Sequence, residues 1–333
     1  MKAAVIRAYG EPDVLSVEEC PRPKCGPDDV LIEVHATSVN PVDWKIRRGY
    51  QRAVVRKKMP AILGMDVSGV VVKTGTNVTR FQEGDAVFSS PTHTRPGTYA
   101  EFVAIRADQV APKPANLSHA EAASIPLVGL TAWRCLVTRA QVKPSERVFI
   151  EAGSGGVGTF AIQLARHLGA TVATTCSGRN TELVRTLGAE TVVDYTTTRF
   201  EEALEPQDVV LECMGAASRA RALKVLKRGG RLTSINSDMV PRAKRYGPYL
   251  ATLLSGVALV RMMVAHRLFW GVRSWPVVRV PSGTDLAAIG TLLEQGVIRP
   301  VIDQTFTLDA IVEAHRASEQ GRTRGKIVIA VRP

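Results

Sequence analysis

A glycine-rich stretch is the clearest candidate for binding chemistry in this chain. It reads EAGSGGVG over residues 151–158. Glycine permits a tight turn and a close backbone approach to a ligand, and the free N–H groups at a helix start attract negative charge. A pyrophosphate group satisfies both conditions. The stretch is therefore predicted to bind the pyrophosphate of a dinucleotide.

The elements on either side of the turn strengthen this prediction. Residues 147–150 have the pattern of an apolar strand, residues 159–168 that of a helix that stops at Gly169, and residues 171–175 that of a second strand. Glycine-rich turns alone are weak evidence because they are common in loops. A strand, helix and strand in this order form the βαβ unit that binds dinucleotides.

The residues after the second strand indicate which dinucleotide binds. Residues 175–180 read TCSGRN, and no carboxylate follows before Glu182. An NAD site places an acid here for the ribose 2′-hydroxyl, whereas hydroxyl, guanidinium and amide groups suit a 2′-phosphate. We expect NADPH rather than NADH. The alternative is a solvated loop in which Arg179 faces water.

Length, charge and cysteine content narrow the class of protein. The chain has 333 residues, 45% of them hydrophobic, and a formal net charge of +12. Two domains are expected. Basic residues are dispersed without interleaved aromatics, so we expect no nucleic acid partner and relate the charge to an anionic cofactor, to solubility or to an anionic surface. Five cysteines without a CxxC pair indicate neither a disulfide framework nor a zinc cage.

The patterning changes near residue 120. Strands and turns dominate before it, as in a small β-barrel, and helices alternate with strands after it, as in a parallel sheet. A segment at residues 241–280 then carries seven Lys or Arg and no acid. Its apolar part, residues 249–264, is interrupted by Arg261 and is short for a bilayer span. We expect a helix near the active site, then a strand at about residues 270–280. A lid or a dimer surface is favoured over a membrane contact.

Further motifs follow the pattern of a known family. They are SVNPVDWK at 38–45, GMDVSG at 64–69, GDAV at 84–87, GTYAE at 97–101 and GLTAW at 129–133. With the glycine turn, they make the chain resemble the zinc-independent quinone oxidoreductase and enone reductase branch of the medium-chain dehydrogenase/reductase superfamily over nearly its full length. Residues 181–190, 269–270 and 298–302 look like the reticulon-4-interacting protein group, a set of NADPH-dependent reductases.

The resemblance implies an α/β fold with a GroES-like β-barrel domain and a Rossmann domain with a doubly wound parallel sheet. We expect residues 1–122 and 278–333 to form the GroES-like domain, and residues 123–277 to form the NADPH-binding Rossmann domain. The resemblance leaves a monomer or a homodimer open.

The resemblance also assigns residues to the cofactor. The pyrophosphate is expected at Ser154, Gly155, Gly156, Val157 and Gly158, the adenosine end at Ser177, Arg179, Asn180 and Tyr195, and the nicotinamide near Thr131, Phe269 and Trp270. Lys326 is expected to add positive charge beside a phosphate. The alternative for Phe269 and Trp270 is that they are core aromatics.

Two motif positions bear on metal binding. Zinc alcohol dehydrogenases of the superfamily carry a cysteine where Asn40 stands and Gly-His-Glu where residues 64–66 read GMD. An amide and a thioether hold Zn²⁺ poorly, so no metal site is expected. Without a Lewis acid, the alkoxide formed from a simple ketone lacks stabilisation, whereas an enone or a quinone delocalises the charge. We therefore expect an NADPH-dependent reductase acting on a quinone or an α,β-unsaturated carbonyl.

Lys45 is the first candidate to stabilise that charge, because several relatives carry a tyrosine or lysine there, facing the nicotinamide. The alternative is a solvated lysine. Asn40 and Asp43 would shape the same turn, and Asp66 faces the region where the zinc enzymes hold metal. A structural hydrogen-bonding role is the alternative for Asp66.

Two other functions and several details stay open. The chain could be a zinc-free alcohol dehydrogenase, or an NADPH-binding module on a membrane or with a regulatory role, without significant turnover. The sequence names neither the substrate nor the proton donor. It begins directly with a strand pattern, KAAVI, without a signal peptide or the mitochondrial leader of animal members. A cytoplasmic location is expected.

Overall fold

The chain folds into two compact units. A computed structural model describes residues 1–95, 97–236 and 238–332. Unit 1 contains Met1–Leu130 together with Val280–Pro333, and unit 2 contains Thr131–Arg279. Unit 1 is therefore built from both ends of the chain. The limits placed from the sequence at residues 122 and 277 lie slightly before these boundaries.

Two β-sheets form the frame of unit 1. Its strands are β1 (Lys2–Ile6), β2 (Leu15–Glu19), β3 (Asp29–Val39), β4 (Ala61–Ile62), β5 (Val67–Thr74), β6 (Ala86–Ser89), β7 (Phe102–Arg106), β8 (Val110–Pro112), β15 (Ile302–Thr307) and β16 (Lys326–Ala330). The smaller sheet has the order β2-β1-β4, and the larger one has the order β15-β16-β3-β5-β6-β8 with β7 also paired to β3. The long β3 thus joins the C-terminal strand to the first third of the sequence.

Apolar clusters and short helices complete unit 1. One cluster includes Ile6, Leu63 and Ile327, and a second includes Ile32 and Val87. Runs such as VLIEV in β3 are buried along most of their length, which explains why they read as apolar almost continuously. The helices of this unit are α1 (Pro41–Arg47), α2 (His119–Ala123), α3 (Pro126–Trp133, which continues into unit 2), α10 (Gly283–Glu294) and α11 (Ile311–Glu319).

Unit 2 contains a six-stranded parallel sheet. Its strands are β9 (Arg147–Ile150), β10 (Thr171–Cys176), β11 (Thr191–Asp194), β12 (Gln207–Glu212), β13 (Leu226–Ser234) and β14 (Arg273–Pro276). Their order is β11-β10-β9-β12-β13-β14, and every pair is parallel. Counted from β9, this is the order 3-2-1-4-5-6 of the Rossmann fold, in which ligands bind beyond the carboxyl ends of the strands. The predicted fold class is confirmed.

Among the described residues, α-helices follow the strands of this sheet. They are α4 (Gly156–His167), α5 (Thr181–Thr186), α6 (Phe200–Ala203), α7 (Ala216–Val225), α8 (Met239–Tyr246) and α9 (Pro248–Phe269). The first of them, α4, buries Phe160, Ile162 and Leu164, and Gly169 follows it with a φ of +82° that ends the helix. The basic and apolar segment forms two helices, α8 and α9, before the short strand β14.

Candidate active site

The glycine turn presents free N–H groups at the start of α4. Gly155 precedes the helix with extended backbone, and among the described residues no side chain caps its first N–H groups. Such groups need a partner, and the helix dipole makes this end positive. Asn180 Nδ2 donates to Ser154 Oγ at 3.1 Å, which fixes the Ser154 hydroxyl beside the turn.

The glycines of the turn differ in the space around them. A Cβ on Gly158 would lie 2.4 Å from Ala152 O, and one on Gly153 would lie 2.1 Å from Thr174 Oγ1. These two positions allow α4 and the sheet to pack closely. A Cβ on Gly155 would meet only Ala152 O, at 3.4 Å, so the space beside the helix start is open. The turn thus has the free donors and the room that a pyrophosphate needs.

The residues predicted for the adenosine end follow strand β10. Ser177 and Arg179 are partly or fully accessible, Asn180 is buried, and Tyr195 follows the neighbouring strand with 64% of its surface exposed. Hydroxyl, guanidinium and amide groups therefore lie at one edge of the sheet, as the sequence predicts for a 2′-phosphate.

Asp194 also belongs to this edge, and the sequence reasoning missed it. It is paired in register with Cys176, and its Oδ2 would lie 2.8 Å from a Cβ on Gly178. Hydrogen bonds from the Thr196 hydroxyl and backbone N–H lower the pKa of this carboxyl. Asp194 could have been found from the expected parallel sheet, because parallel pairing of β10 with β11 brings the carboxyl ends of both strands to one edge.

The residues predicted near the nicotinamide are placed differently from one another. Thr131 is buried in α3. Phe269 and Trp270 lie at the end of α9, with 82% and 45% of their surface exposed. They are therefore not core aromatics. Their contact with a nicotinamide stays a prediction.

In unit 1, a buried polar cluster surrounds the turn between β3 and α1. Asn40 Nδ2 donates to Asp66 Oδ2 at 2.8 Å, and Ser38 Oγ donates to the same oxygen at 2.7 Å. The backbone N–H of Leu127 donates to Asp66 Oδ1 at 2.7 Å. Asn40 and Asp66 are almost fully buried, so their hydrogen bonds to each other satisfy groups that would otherwise be costly to bury.

Lys326 contributes a cation to this cluster from the C-terminal strand β16. Its Nζ donates to Asn40 Oδ1 at 2.6 Å and lies 3.4 Å from Asp66 Oδ2. The pairing of β16 with β3, with Ile327 opposite Val39, brings the lysine there. Burial lowers the pKa of the ammonium, and the Asp66 carboxylate acts in the opposite direction. The predicted position beside a cofactor phosphate stays untested, and the contacts observed are with the cluster.

Asp43 links the start of α1 to a buried tyrosine. Its Oδ2 accepts from the Asn40 N–H at 2.8 Å and from the Tyr99 hydroxyl at 3.0 Å. Among the described residues, its Oδ1 has no hydrogen-bond partner. Burial raises the pKa of Asp43 to about 6. The side chain therefore fixes the geometry of the turn and is partly protonated near neutral pH.

Lys45 lies in α1, two residues after Asp43. Burial lowers the pKa of its ammonium. Its Nζ lies 5.5 Å from the centre of the Trp44 ring, and it makes no ion pair or hydrogen bond with any residue that the structure describes. An amine with a lowered pKa and spare donors can donate a hydrogen bond, and then a proton, to a developing oxyanion.

Metal-binding side chains are not gathered in the parts of the chain that the structure describes. No three His, Cys, Asp or Glu side chains come together in a group that could hold an ion. At the positions of the zinc ligands, both polar atoms of the Asn40 amide are bonded within the cluster, and Met65 is buried.

Comparisons with known proteins agree on one family. Residues 26–115 match the alcohol dehydrogenase GroES-like domain, and residues 187–329 match a domain described as zinc-binding dehydrogenase. The chain is 36% identical to the mitochondrial NAD(P)H oxidoreductase RTN4IP1 of Danio rerio, covering 99% of this chain and 91% of that protein. It is 33% identical to the chloroplastic NADPH-dependent alkenal/one oxidoreductase of Arabidopsis thaliana, covering 99% and 79%.

A solved structure of a quinone oxidoreductase is also similar to this chain over its full length. The quinone oxidoreductase of Coxiella burnetii superposes with a TM-score of 0.86 at 33% identity, covering 100% of this chain and 99% of that one.

The same comparisons correct one expectation. The cytoplasmic location expected from the first residues is wrong, because these two relatives are named mitochondrial and chloroplastic. A targeting leader is separate from the fold, so the strand pattern of KAAVI carries no information about location.

The motifs, the Rossmann strand order and these relatives lead to one assignment. The chain is an oxidoreductase that uses a nicotinamide cofactor, and it belongs to the medium-chain dehydrogenase/reductase superfamily, in its quinone oxidoreductase and enone reductase branch.

Proposed function

We propose that this protein is an NADPH-dependent reductase that transfers hydride to a quinone or an α,β-unsaturated carbonyl without zinc. The observation that carries the proposal is the set of groups around Asp66. Where zinc enzymes of the superfamily hold their metal, this chain has the amide of Asn40, the thioether of Met65 and the carboxylate of Asp66. The amide and the carboxylate contact each other and the buried ammonium of Lys326.

These groups do not fit a zinc ion. A zinc site needs three or four ligand atoms with free lone pairs, usually from Cys, His or carboxylate groups. Asp66 already accepts from Ser38, Asn40 and Leu127, and the ammonium of Lys326 would repel a second cation. The match to a zinc-binding dehydrogenase model therefore reflects shared ancestry, and no step is assigned to a metal.

The charge that develops on the acceptor decides the substrate class. Hydride addition to an isolated ketone leaves a localised alkoxide, whereas addition to the β-carbon of an enone, or to a quinone, spreads the charge over a conjugated system. A few hydrogen-bond donors then suffice. The names of the relatives, an alkenal/one oxidoreductase and a quinone oxidoreductase, support this class.

The groups in unit 2 support NADPH as the cofactor. The free N–H groups at the start of α4 suit the pyrophosphate, and Ser177 and Arg179 suit a 2′-phosphate. Asp194 opposes this preference by its charge, and the hydrogen bonds from Thr196 occupy its Oδ1. When bound, NADPH supplies the hydride.

In the proposed reaction, Lys45 acts on the acceptor oxygen. Its Nζ donates a hydrogen bond as negative charge builds on that oxygen, and the lowered pKa makes the ammonium a better proton donor. Asn40 and Asp43 hold the first turn of α1 through their reciprocal hydrogen bonds and so position Lys45. Lys326 keeps Asn40 and Asp66 in place and is not assigned to the acceptor.

A screen of acceptors tests the proposal. NADPH oxidation is measured with quinones, enones, alkenals and saturated ketones, with NADH run in parallel and with added Zn²⁺ or a chelator as controls. We expect turnover with conjugated acceptors, preference for NADPH, and no response to Zn²⁺ or chelator. Turnover only with saturated ketones, or activity that depends on Zn²⁺, would contradict it.

A further inference from the structure

Helix α9 exposes a continuous apolar face to solvent. The face consists of residues three or four positions apart, and it comprises Tyr249, Leu250, Leu253, Leu254, Val257, Val260, Val264 and Leu268, which we call the α9 face. Leu253 is 64% exposed, Val260 63% and Leu268 72%. An exposed apolar patch of this extent is uncommon on a soluble monomer and marks an interaction site.

The opposite side of α9 is fastened to unit 2. Ala251, Ser255 and His266 are buried, and Arg242 Nη1 donates to Ser255 Oγ at 2.9 Å. His266 Nδ1 lies 3.1 Å from Ser274 Oγ, and the His266 carbonyl accepts from a backbone N–H beyond the helix end. These contacts hold α9 against the rest of unit 2 between Ala251 and His266.

This attachment decides between two ways of meeting a membrane. Over the described residues, α9 is the one helix long and apolar enough to cross a bilayer, and 11% of its apolar window is buried. A helix of 22 residues is about 33 Å long, close to the thickness of the hydrocarbon core. Crossing would, however, require α9 to leave unit 2 and expose its buried side. With one side held, the helix can only lie flat on a membrane surface.

The charges around the α9 face identify the partner. Arg261 and Arg267 are exposed on α9, and Arg245 is exposed on α8. Residues 241–280 contain seven Lys or Arg and no acidic residue. A cationic border around an apolar helix face suits anionic lipid, because arginine stems reach along apolar surface while their heads meet phosphate.

We propose that the α9 face docks on an anionic membrane surface, with the helix axis in the plane of the interface and its apolar side chains among the upper acyl chains. A symmetric contact between two copies is less suitable, since it would bring two sets of cations together with no acid from this segment to pair them. Trp270 and Phe269, exposed at the end of α9, add the aromatic groups that favour this interface. The proposal does not depend on the reductase function.

Vesicle sedimentation tests the proposal on the full chain. Vesicles of phosphatidylcholine alone are compared with vesicles containing 30 mol% phosphatidylglycerol, at low and at physiological salt. We expect binding to the anionic vesicles that weakens with salt, and at least tenfold weaker partitioning to neutral vesicles, on the order given by several interfacial arginines. No binding to anionic vesicles at low salt would overturn the proposal.

Matched variants localise the contact. L253Q/V260Q removes two residues of the α9 face, and V54Q/V278Q removes two apolar residues of similar exposure elsewhere. R261Q/R267Q removes two charges beside the face, and R56Q/R185Q removes two exposed charges elsewhere. We expect the first variant of each pair to lose about tenfold or more in partitioning, and the second to stay within about twofold of wild type. Equal losses within either pair would overturn the proposal.

Two further measurements separate lipid from a second copy. Brominated lipid in the anionic vesicles should quench wild-type tryptophan fluorescence more than that of W270F, and equal quenching would contradict the proposed depth of α9. Sedimentation equilibrium without lipid should give the same mass for wild type and L253Q/V260Q. A dimer that dissociates in L253Q/V260Q would assign the α9 face to self-association instead.

Discussion

Lys45, half-buried in α1, and Lys326, buried in β16, are both amines of unit 1, yet their partners give them different roles. Burial lowers the pKa of both. Lys326 uses its donors on Asn40, the Val39 carbonyl and Asp66, so it is fixed in the polar cluster. The donors of Lys45 are not used by any part of the chain that the structure describes, which leaves them available to a substrate.

Replacing Lys45 tests whether those donors act in catalysis. We expect Lys45→Met to lower kcat on an enone about 100-fold at saturating NADPH, the typical contribution of one acid–base group. In wild type, kcat should also fall as pH rises through the lowered pKa of the ammonium, and this fall should vanish in the variant. Lys58→Met, on an exposed lysine nearby, serves as the control. Unchanged turnover in Lys45→Met would remove the residue from the mechanism.

Arg179 tests the cofactor preference. We expect Arg179→Ala to raise the KM for NADPH by about 10- to 100-fold and the KM for NADH little, because about 1 to 3 kcal/mol of charge-assisted bonding to a 2′-phosphate is lost. Arg185→Ala, on an exposed arginine of α5, should leave both values unchanged. Equal effects of Arg179→Ala on the two cofactors would place the 2′-phosphate elsewhere.

Asp43 makes a contribution to stability that depends on pH. Its pKa is raised from 3.8 to about 6 in the folded protein, so the unfolded chain loses this proton first. The stabilisation is therefore complete below pH 3.8 and is lost as pH rises to about 6. Relative to Asp43→Asn, wild type should lose up to about 3 kcal/mol of unfolding free energy between roughly pH 4 and 7. Urea unfolding at several pH values measures this difference, and a constant difference would contradict it.

Short motifs indicated the candidate binding residues but not the contacts that these residues make. The glycine turn and the edge at residues 177–180 follow from local spacing. Lys326 was singled out, but its contact with Asn40 spans 286 positions and arises only from the pairing of β16 with β3. Tyr99 lies within the motif GTYAE but was not singled out, and Asp194 carried no local signal, because an acid at a strand end is an ordinary feature.

At the scale of elements, the packing of α4 against the sheet sets the position of the cofactor turn. Gly158 is a point of close approach between α4 and the turn after β9, since a side chain there would overlap the Ala152 carbonyl. Gly256 in α9 has the opposite surroundings, with nothing within 4 Å of the position of a Cβ. The two glycines therefore allow the same substitution to be compared in crowded and in open surroundings.

Replacing each glycine by alanine should have effects of opposite sign. We expect Gly158→Ala to lower the free energy of unfolding by about 2 to 4 kcal/mol through overpacking, and to weaken NADPH binding. Gly256→Ala should raise the free energy of unfolding by about 0.5 to 1 kcal/mol, because alanine favours an exposed helix interior. Chemical denaturation measures both changes. Destabilisation by Gly256→Ala as large as that by Gly158→Ala would show that the packing argument is wrong.

The helix α9 shows why some elements resist prediction. Its sequence is apolar on most sides, so periodicity does not reveal which face is buried. The expected lid or dimer surface rested on composition alone. The contacts of Ser255 and His266 with unit 2 define the inner side, and that information is tertiary.

At the scale of the whole molecule, each unit has its own sheets and its own apolar core. The residues predicted to contact the pyrophosphate and the adenosine lie in unit 2. The polar cluster around Asp66 lies in unit 1, as does Lys45. The order of strands in both units follows from long-range pairing, which motif spacing indicates only through resemblance to a family.

Hydrogen exchange of backbone amides can test whether the cofactor binds to the predicted segments of unit 2. We expect saturating NADPH to slow exchange at residues 153–158 and 177–180 by about tenfold or more, because ligand binding stabilises the segments that contact it. A peptide from strand β3, buried in unit 1, serves as the internal reference. Equal protection of the two cofactor segments and the reference, or no protection of either segment, would contradict the proposed binding residues.

The position of β16 has a consequence for synthesis on the ribosome. This strand is translated after all of unit 2, yet it belongs inside the larger sheet, beside residues 36–39 of β3. That stretch of β3 stays an open edge until all of unit 2 has been made, and an open edge invites pairing with other chains. A nascent chain stalled before residue 326 would also leave Asp66 without its ammonium partner. Residues translated after unit 2 thus complete a sheet that was begun before it.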